Sequence, residues 1–244
     1  EETAGFSQAE VSNVDASAEQ NQGQEQSDDA FLEEFTLDSA VSEEEDGVAR
    51  WAVYNREKLA SGLSHPALWE AKIAIIGSNS IASKMAMELQ RFGVNANVAE
   101  TLTSEFNGVI DLRSLEQRST KEKMQASRSV FQMAKTLADG AKLLICVADW
   151  GGDFGFTQLD HGSALSTGIA GVLRTAQQEW PKAHVKMIDI ARGSRNDRDI
   201  AQELVREIVH GGLDIDVGLS EKGERSVLAM ENRPAEGAKL QLSQ

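Results

Sequence analysis

The sequence predicts a doubly wound α/β fold built on a mostly parallel sheet. From residue 50 onward, strand-like segments alternate about five times with segments of helical periodicity. Several of the strand-like segments are apolar throughout, as expected for strands that are buried on both faces. Strands that alternate with helices in this way form βαβ units, which place helices on both faces of one parallel sheet.

The elements are predicted in the following order. The strands are WAVYN (51–55), KIAIIG (72–77), NANVAE (95–100), GVIDL (108–112), KLLICVA (142–148), HVKMIDI (184–190) and two strands joined by an EKGE turn within 215–233. The helices are 80–93, about 120–138, 168–180 ending at Pro181, and 199–212, with a turn at SHPAL (64–68) and a loop at GGDFGF (151–156). In the first helix, the side chains of Ile81, Met85, Leu89 and Phe92 are predicted to share a face, and Gly93 is placed to end the helix.

The acidity of the chain is confined to its first part. Of the 39 Asp and Glu residues, fifteen lie in residues 1–49, which contain no Lys or Arg, so the remainder has 24 acids against 24 bases. We expect residues 1–47 to be a disordered acidic linker, because they offer too little apolar surface to bury, and residues 48–244 to be one domain. Within the linker, AFLEEFTL (30–37) is either a short docking helix or, as we favour, a transient amphipathic turn.

The composition excludes several classes of protein. A charge-balanced domain beside an acidic tail argues against nucleic-acid binding, because no cluster of cations faces a phosphate backbone. The single cysteine, Cys146, excludes a disulfide within the chain. The longest apolar stretches fall short of the roughly 20 residues of a membrane helix. The opening residues lack the features of an export signal, so a cytoplasmic protein is expected; the absence of an initiator Met suggests a piece of a longer chain.

The first strand-to-helix turn, Gly77 to Ala82, stands where a dinucleotide-binding domain has its glycine-rich loop. Only the first glycine is present, and side chains at the other glycine positions would crowd a pyrophosphate. We therefore favour an ordinary turn. The acid that follows the next strand, Glu100, is the candidate ribose ligand if a dinucleotide does bind.

Tyr54 and Lys58 form a literal Tyr-x-x-x-Lys pair in YNREK. A Lys that lowers the pKa of a Tyr makes the phenol a general acid. These two residues precede the glycine turn in a strand-like segment, where side chains four apart do not project together as on a helix. We interpret the pair as a coincidence.

Three acids and a histidine surround the GGDFGF loop at the carboxyl end of a strand, where ligands bind in open α/β sheets. The group consists of Asp149, Asp153, Asp160 and His161, and its spacing matches no known metal site, so solvated loop carboxylates are the favoured interpretation. The other histidines, His65, His184 and His210, are predicted to lie in scattered contexts.

The order of the segments GVIDL, LLICVADWGG, GIAGVLRTAQQEWP, HVKMIDI and DVGLSEKGERSVLAM resembles the structural half of a ketoreductase from modular polyketide-type synthases, most closely those of bacterial polyunsaturated fatty acid synthases. Those ketoreductases contain two short-chain-dehydrogenase-like halves in tandem. In the active half, Tyr and Lys precede the inner glycine of a helix. Counting back from Gly171, these places hold Gly162 and Ser166.

The resemblance implies a degenerate, Rossmann-like short-chain-dehydrogenase half that does no chemistry. It implies no catalytic, cofactor-binding or metal-binding residues in this chain, and NADPH bound in a separate catalytic half that is absent after AEGAKLQLSQ (235–244). The implied partners are that catalytic half and neighbouring acyl carrier domains, with no nucleic acid or membrane.

Two alternatives remain open. The chain is a self-contained NAD(P)-binding oxidoreductase with an atypical loop, which Glu100 would favour. Alternatively, it is a docking protein whose acidic tail binds a basic partner.

Overall fold

A computed structural model describes residues 51–77, 79–116, 119–157 and 167–232. The predicted acidic linker (1–47) and its AFLEEFTL segment (30–37) lie outside the described residues. No helix among the described residues is both long and apolar enough to cross a membrane.

The described part of the chain alternates between strands and helices as predicted. Its strands are β1 (Trp51–Glu57), β2 (Lys72–Ile76), β3 (Asn95–Val98), β4 (Gly108–Ser114), β5 (Leu143–Ala148), β6 (His184–Ile190), β7 (Asp216–Leu219) and β8 (Arg225–Asn232). Its helices are α1 (Ala67–Glu70), α2 (Asn79–Arg91), α3 (Thr120–Leu137), α4 (Gly168–Glu179) and α5 (Asp197–His210).

The strands form one eight-stranded sheet in the order β1-β8-β7-β6-β5-β4-β2-β3. Strands β2 to β7 are parallel, whereas β8 pairs antiparallel with β7, and β1 pairs antiparallel with β8. The predicted doubly wound, mostly parallel α/β fold is confirmed, and so is the β7–β8 hairpin around the EKGE turn.

Two apolar layers cover the parallel strands. On one face, α2 and α5 pack over side chains such as Ile75, Ile110 and Ile145. On the other face, α3 and α4 pack over side chains such as Val109 and Leu144. All six residues of β5 are buried, because this strand lies in the middle of the sheet with a helical layer on each side. The continuously apolar run is therefore explained by burial on both faces.

The helix ends follow the local chemistry of the sequence. Before α3, the Ser119 hydroxyl accepts a hydrogen bond from the Glu122 N–H, and the Glu122 carboxylate accepts one from the Ser119 N–H at 2.9 Å. This reciprocal capping box satisfies two N–H groups that have no partner inside a helix. Gly93 follows α2 with φ +86, a conformation that favours glycine, as predicted for a C-cap.

Two helix ends differ from the sequence predictions, the end of α2 and the start of α1. Phe92 is predicted to share the buried face of α2, but the helix ends at Arg91 and the Phe92 side chain is 47% exposed. In the turn after the helix, its ring instead lies edge-on to His210, with the ring centroids 5.6 Å apart. The SHPAL segment, predicted as a turn, continues into the short helix α1.

Candidate functional site

In an open α/β sheet, ligands bind at the carboxyl ends of the strands where the strand order reverses. Here that point lies between β2 and β4, because β3 is on the opposite side of β2. Gly77 follows β2 at this edge with φ +94. The crevice beside Gly77 is therefore the position at which a dinucleotide would be held.

The Arg113 side chain lies against this turn. A Cβ atom on Gly77 would be 2.8 Å from both the Cγ atom and the backbone N atom of Arg113. The guanidinium of Arg113 donates two hydrogen bonds to the Asp111 carboxylate, from Nε at 2.8 Å and from Nη2 at 2.9 Å. Nη2 also lies 3.3 Å from the Sδ atom of Met133. This bidentate pair holds the guanidinium of Arg113 against Asp111 on β4, while the Cγ and backbone atoms of Arg113 lie beside Gly77.

The electrostatics of the pair keep it in place. The Asp111 side chain is almost fully buried, and its hydrogen bonds raise the pKa of Arg113. A bidentate pair between a carboxylate and a guanidinium is geometrically specific. A cavity of about 40 Å³ lies beside the pair, between β4 and α3, and Asp111 and Glu122 are among its lining residues. Pockets for small ligands typically measure roughly 300–1,000 Å³.

The rest of the turn also differs from a phosphate-binding loop. Ile81 and Ala82 are fully buried in the packing of α2. The Ser80 hydroxyl accepts a hydrogen bond from Lys84 Nζ at 2.6 Å. Ser78 lies outside the described residues. The described residues of the turn therefore do not form the glycine-lined cradle that a pyrophosphate needs.

The alternative ribose ligand, Glu100, is exposed two residues beyond the end of β3. Because β3 runs parallel to β2, Glu100 lies at the same edge of the sheet as Gly77. Its position is compatible with a ribose ligand, although Arg113 packs closely against the neighbouring Gly77.

Tyr54 and Lys58 lie far from this crevice. Tyr54 is in β1, at the sheet edge remote from β2, and six strand spacings of about 4.8 Å separate the two strands by roughly 29 Å. Lys58 Nζ pairs with an Asp214 carboxylate oxygen at 2.8 Å. No acid–base pair can operate from this place at the Gly77 crevice.

The loop after β5 is anchored by a buried carboxylate on β6. Asp189 accepts hydrogen bonds from the backbone N–H of Trp150 at 2.6 Å and of Phe154 at 2.7 Å. Burial raises the pKa of Asp189 to about 6, although these backbone donors oppose the shift. Successive backbone N–H groups can bind an anion. In this loop, the group that occupies the anion position is the Asp189 carboxylate of the protein itself.

Two of the acids predicted as solvated loop carboxylates belong to this loop. Asp153 is half-buried and accepts hydrogen bonds from the N–H groups of Gly155 at 2.9 Å and Thr157 at 2.8 Å, so it stabilises the turn rather than lying free in water. Asp149 is half-buried, and its charge contributes to the raised pKa of Asp189. The remaining predicted positions, Asp160, His161, Gly162 and Ser166, lie outside the described residues.

The buried Asp189 carboxyl predicts a pH dependence of stability. Its pKa is about 6 in the folded state against 3.8 as the usual value, so the folded state binds the proton more tightly. The stability that Asp189 contributes is therefore present below about pH 4 and is lost as the pH rises through 6. Relative to Asp189→Asn, the free energy of unfolding of the parent should fall by about 2 kcal/mol between pH 4.5 and 7.5.

Urea unfolding of both proteins across this pH range checks the prediction. The difference between parent and variant isolates Asp189 from the other titrating groups. A difference that is independent of pH, or that grows in favour of the parent as the pH rises, would contradict a raised pKa.

A second group of buried charges joins β6, α5 and β8. Lys186, in β6, is fully buried, and its Nζ atom donates to a Glu207 carboxylate oxygen at 2.7 Å and to the Gly212 carbonyl at 3.0 Å. The guanidinium of Arg225 binds the other Glu207 oxygen at 2.8 Å and an Asp214 oxygen at 3.0 Å. Burial lowers the pKa of Lys186, although Glu207 opposes the shift. The network ties β6, α5 and β8 together.

Two of the histidines predicted to be scattered meet beside this network. The rings of His65 and His184 stack with their centroids 4.9 Å apart. Burial lowers the pKa of both, and the nearby charge of Lys186 lowers each of them further. Neutral stacked rings are therefore expected near pH 7. His210 lies apart from them, at the end of α5.

Sequence reasoning missed the charged residues that are buried within the strands of the sheet. The signal was a charged residue inside an apolar strand segment, namely Asp111 in GVIDL and Lys186 and Asp189 in HVKMIDI. A buried charge is costly without a partner, so each such residue required a specific contact elsewhere in the chain.

Cys146, in the neighbouring strand, is buried, and burial raises the pKa of its thiol, as is typical of an unreactive cysteine.

Within the described ranges, no group of three or more His, Cys, Asp or Glu side chains is placed to hold a metal ion. Three ionisable groups at the carboxyl edge, Arg113, Asp111 and Asp189, are engaged with one another or with backbone N–H groups.

The fold is similar to that of the first ketoreductase of the tylosin polyketide synthase, with 13% sequence identity and a TM-score of 0.53, over 78% of this chain and 42% of that one. The fold is of the ketoreductase type. At this identity the likeness establishes the architecture alone, and it confirms the Rossmann-like α/β prediction. The chain spans about two fifths of the length of that ketoreductase.

Two further structures show weaker likeness to this ketoreductase-type fold. One is the ketoreductase from the first module of phoslactomycin biosynthesis in Streptomyces sp. HK803, at 14% identity and a TM-score of 0.49, over 77% of this chain and 39% of that one. The other is an adenylation, ketoreductase and pseudo-Asub multidomain structure of a keto acid-selecting NRPS module, at 11% identity and a TM-score of 0.46, over 74% and 18%. No protein-family model matches the chain, and no curated protein matches it in sequence.

Proposed function

We propose that this chain is the non-catalytic scaffold half of a carrier-linked β-ketoacyl ketoreductase in a polyunsaturated fatty acid or polyketide synthase of the cytoplasm. In this proposal it braces a separate catalytic half, which binds NADPH and reduces the ketoacyl group. Acyl carrier domains of the same multienzyme would deliver the substrate to that half.

The observation that carries the proposal is the Arg113–Asp111 pair in the crevice beside Gly77. A dinucleotide there would have to displace a guanidinium held by two hydrogen bonds to a buried carboxylate. Breaking such a pair leaves a charge without its partner, which is strongly unfavourable. A chain that binds no nucleotide and retains this architecture is suited to a structural role.

Two other features support the proposal. The ketoreductase-type fold covers about two fifths of the tylosin ketoreductase, which leaves room for a second half in a complete reductase. The carboxyl-edge loop is anchored by Asp189, with Gly152 packed against the Leu219 backbone, so it is built for rigidity. Active-site lids, by contrast, are usually drawn from the least stable segments of a protein, so a rigid loop fits a structural role better than the role of a lid.

Calorimetric titration with NADPH and NADH tests the proposal. We expect no binding heat from this chain alone, and micromolar binding with β-ketoacyl reduction from the chain joined to the catalytic half. Arg113→Ala in the joined protein should leave the affinity for NADPH unchanged, because Arg113 lies in the crevice of the structural half.

The alternative of a self-contained oxidoreductase has one observation in its favour, the exposed Glu100 at the edge of the sheet that holds Gly77. Micromolar binding of NADPH or NADH by this chain alone, weakened by Glu100→Gln, would establish that alternative and overturn the scaffold proposal.

A further inference from the structure

The solvent face of α3 carries a regular stripe of alternating cations and apolar side chains. Its members are spaced by three and four residues, as on one side of a helix, and they are Lys121, Met124, Arg128, Phe131 and Lys135. Met124 is 63% exposed and Phe131 is 52% exposed. We call these five residues the α3 stripe.

The α3 stripe is not part of the core. The buried residues of the helix, Val130, Met133, Ala134 and Leu137, lie on the opposite side of α3. Two large apolar side chains seven residues apart on a solvent face match the repeat by which helices pack against one another. Single exposed apolar residues need no explanation, but a periodic pair flanked by cations on both sides does.

The charge of α3 is unusual for this protein. The helix contains four Lys and Arg residues and one acid, Glu122, which is hydrogen-bonded to Ser119 at the helix start, whereas residues 50–244 as a whole are neutral. Lys121, Arg128 and Lys135 are exposed, and none of them forms an ion pair with another described residue. The cations are therefore available to a partner.

We infer that the α3 stripe is a docking surface for an acidic amphipathic helix of a partner protein or domain. The stripe spans fourteen residue steps, or about 21 Å of helix. A partner helix of that length would place two apolar side chains against Met124 and Phe131, and Asp or Glu side chains opposite the three cations. The charge selects the partner, because exposed cations steer and orient an acidic surface.

The same charges argue against a second copy of this chain on the stripe. Two copies packed through α3 would bring two rows of three cations together, and like charges across an interface suppress association. The inference does not depend on the proposed reductase role, because it rests on α3 alone.

A synthetic helical peptide of about 18 residues provides the test. It is built from Ala, Glu and Leu, with Leu at two positions seven apart and Glu on both sides, and its affinity for the full chain is measured by fluorescence anisotropy at physiological salt. A control peptide carries Lys in place of Glu. We expect saturable binding of the acidic peptide only, weakening as salt is added.

Variants of the protein assign the binding to the stripe. Charge reversal by Lys121→Glu, Arg128→Glu and Lys135→Glu should weaken binding about tenfold or more, as should Met124→Ser with Phe131→Ser. The matched control is Lys182→Glu, Arg198→Glu and Lys222→Glu, which changes the net charge equally at exposed positions away from α3. This control should retain most of the affinity.

Three outcomes would overturn the inference. One is no saturable binding of the acidic peptide. Another is equal weakening by the stripe and control reversals, which would mean that only net charge matters. The third is a dimer of the parent, detected by sedimentation and lost in the Met124→Ser and Phe131→Ser variant, which would assign the stripe to self-association. None of these outcomes changes the NADPH titration, so the two proposals fail independently.

Discussion

Replacing Glu207 with Leu is expected to lower the free energy of unfolding by about 3–5 kcal/mol. The Glu207 carboxylate accepts hydrogen bonds from Lys186 and Arg225, and all three side chains are almost completely buried. Without Glu207, two cations remain in the interior, with Gly212 and Gly211 carbonyls and Asp214 as their partial partners. A buried charge that has lost its partner keeps its desolvation cost and loses the compensating attraction.

The opposite replacement, Lys186→Met, should cost much less. It exchanges the cation for an uncharged side chain of similar length, and Glu207 keeps its two hydrogen bonds from Arg225, at 2.8 and 3.1 Å. The size of the asymmetry between the two variants is the informative result, because the hydrogen bonds lost, three for Glu207 and two for Lys186, would predict only a small difference.

Urea unfolding followed by circular dichroism measures both effects. Glu179→Leu, at an exposed position at the end of α4, controls for the loss of a carboxylate and should change stability by less than about 0.5 kcal/mol. A Glu207→Leu protein as stable as this control would show that the network contributes no net stability.

Replacing Gly152 with Ala is expected to destabilise the protein by about 2–5 kcal/mol. Gly152 has φ +76, and a Cβ atom there would lie 2.3 Å from the carbonyl oxygen of Leu219 and 3.0 Å from the backbone N atom of Ala191. These contacts are to backbone atoms at the ends of β7 and β6, which cannot rotate away as a side chain can. The loop would have to leave the sheet and give up the hydrogen bonds to Asp189.

Alanine variants of two other glycines separate backbone strain from steric overlap as causes of the destabilisation. Gly93 has φ +86, and a Cβ atom there would have no other atom within 4 Å, so Gly93→Ala measures backbone strain alone, at about 1–2 kcal/mol. Gly140 lacks both the positive φ and the close contacts, so Gly140→Ala should be nearly neutral. If Gly152→Ala costs no more than Gly93→Ala, the loop is not packed against β7 as described.

The sequence predicted the architecture because the relevant signals are local. An apolar run such as LLICVA indicates a strand that is buried on both faces, and the spacing of Ile81, Met85 and Leu89 indicates which side of α2 faces the sheet. Where the signal was local but marginal, at the end of α2, the prediction for Phe92 was wrong, because ending the helix one residue earlier turns the side chain toward solvent.

The candidate site was only partly predictable. The missing glycines after Gly77 were visible in the sequence and indicated that the turn is no phosphate loop. Arg113, which packs against Gly77, was not singled out, because nothing in GVIDLRS indicates that its guanidinium pairs with Asp111 while its Cγ lies beside Gly77. His65 and His184 are 119 positions apart in the sequence, and only the packing of β6 against the segment before α1 brings their rings together.

By itself, the sequence determined the alternation of strands and helices, the burial of the apolar strands and the confinement of the excess acidic charge to residues 1–49. The tertiary structure decided the partners of the buried charges. Asp189 and Trp150 are 39 residues apart, and Lys186 and Glu207 are 21 apart. The periodicity of apolar residues shows, over a few residues, which side of a segment faces solvent and which faces the core. The partner of a buried charge instead depends on which distant segment lies beside it once the sheet has formed.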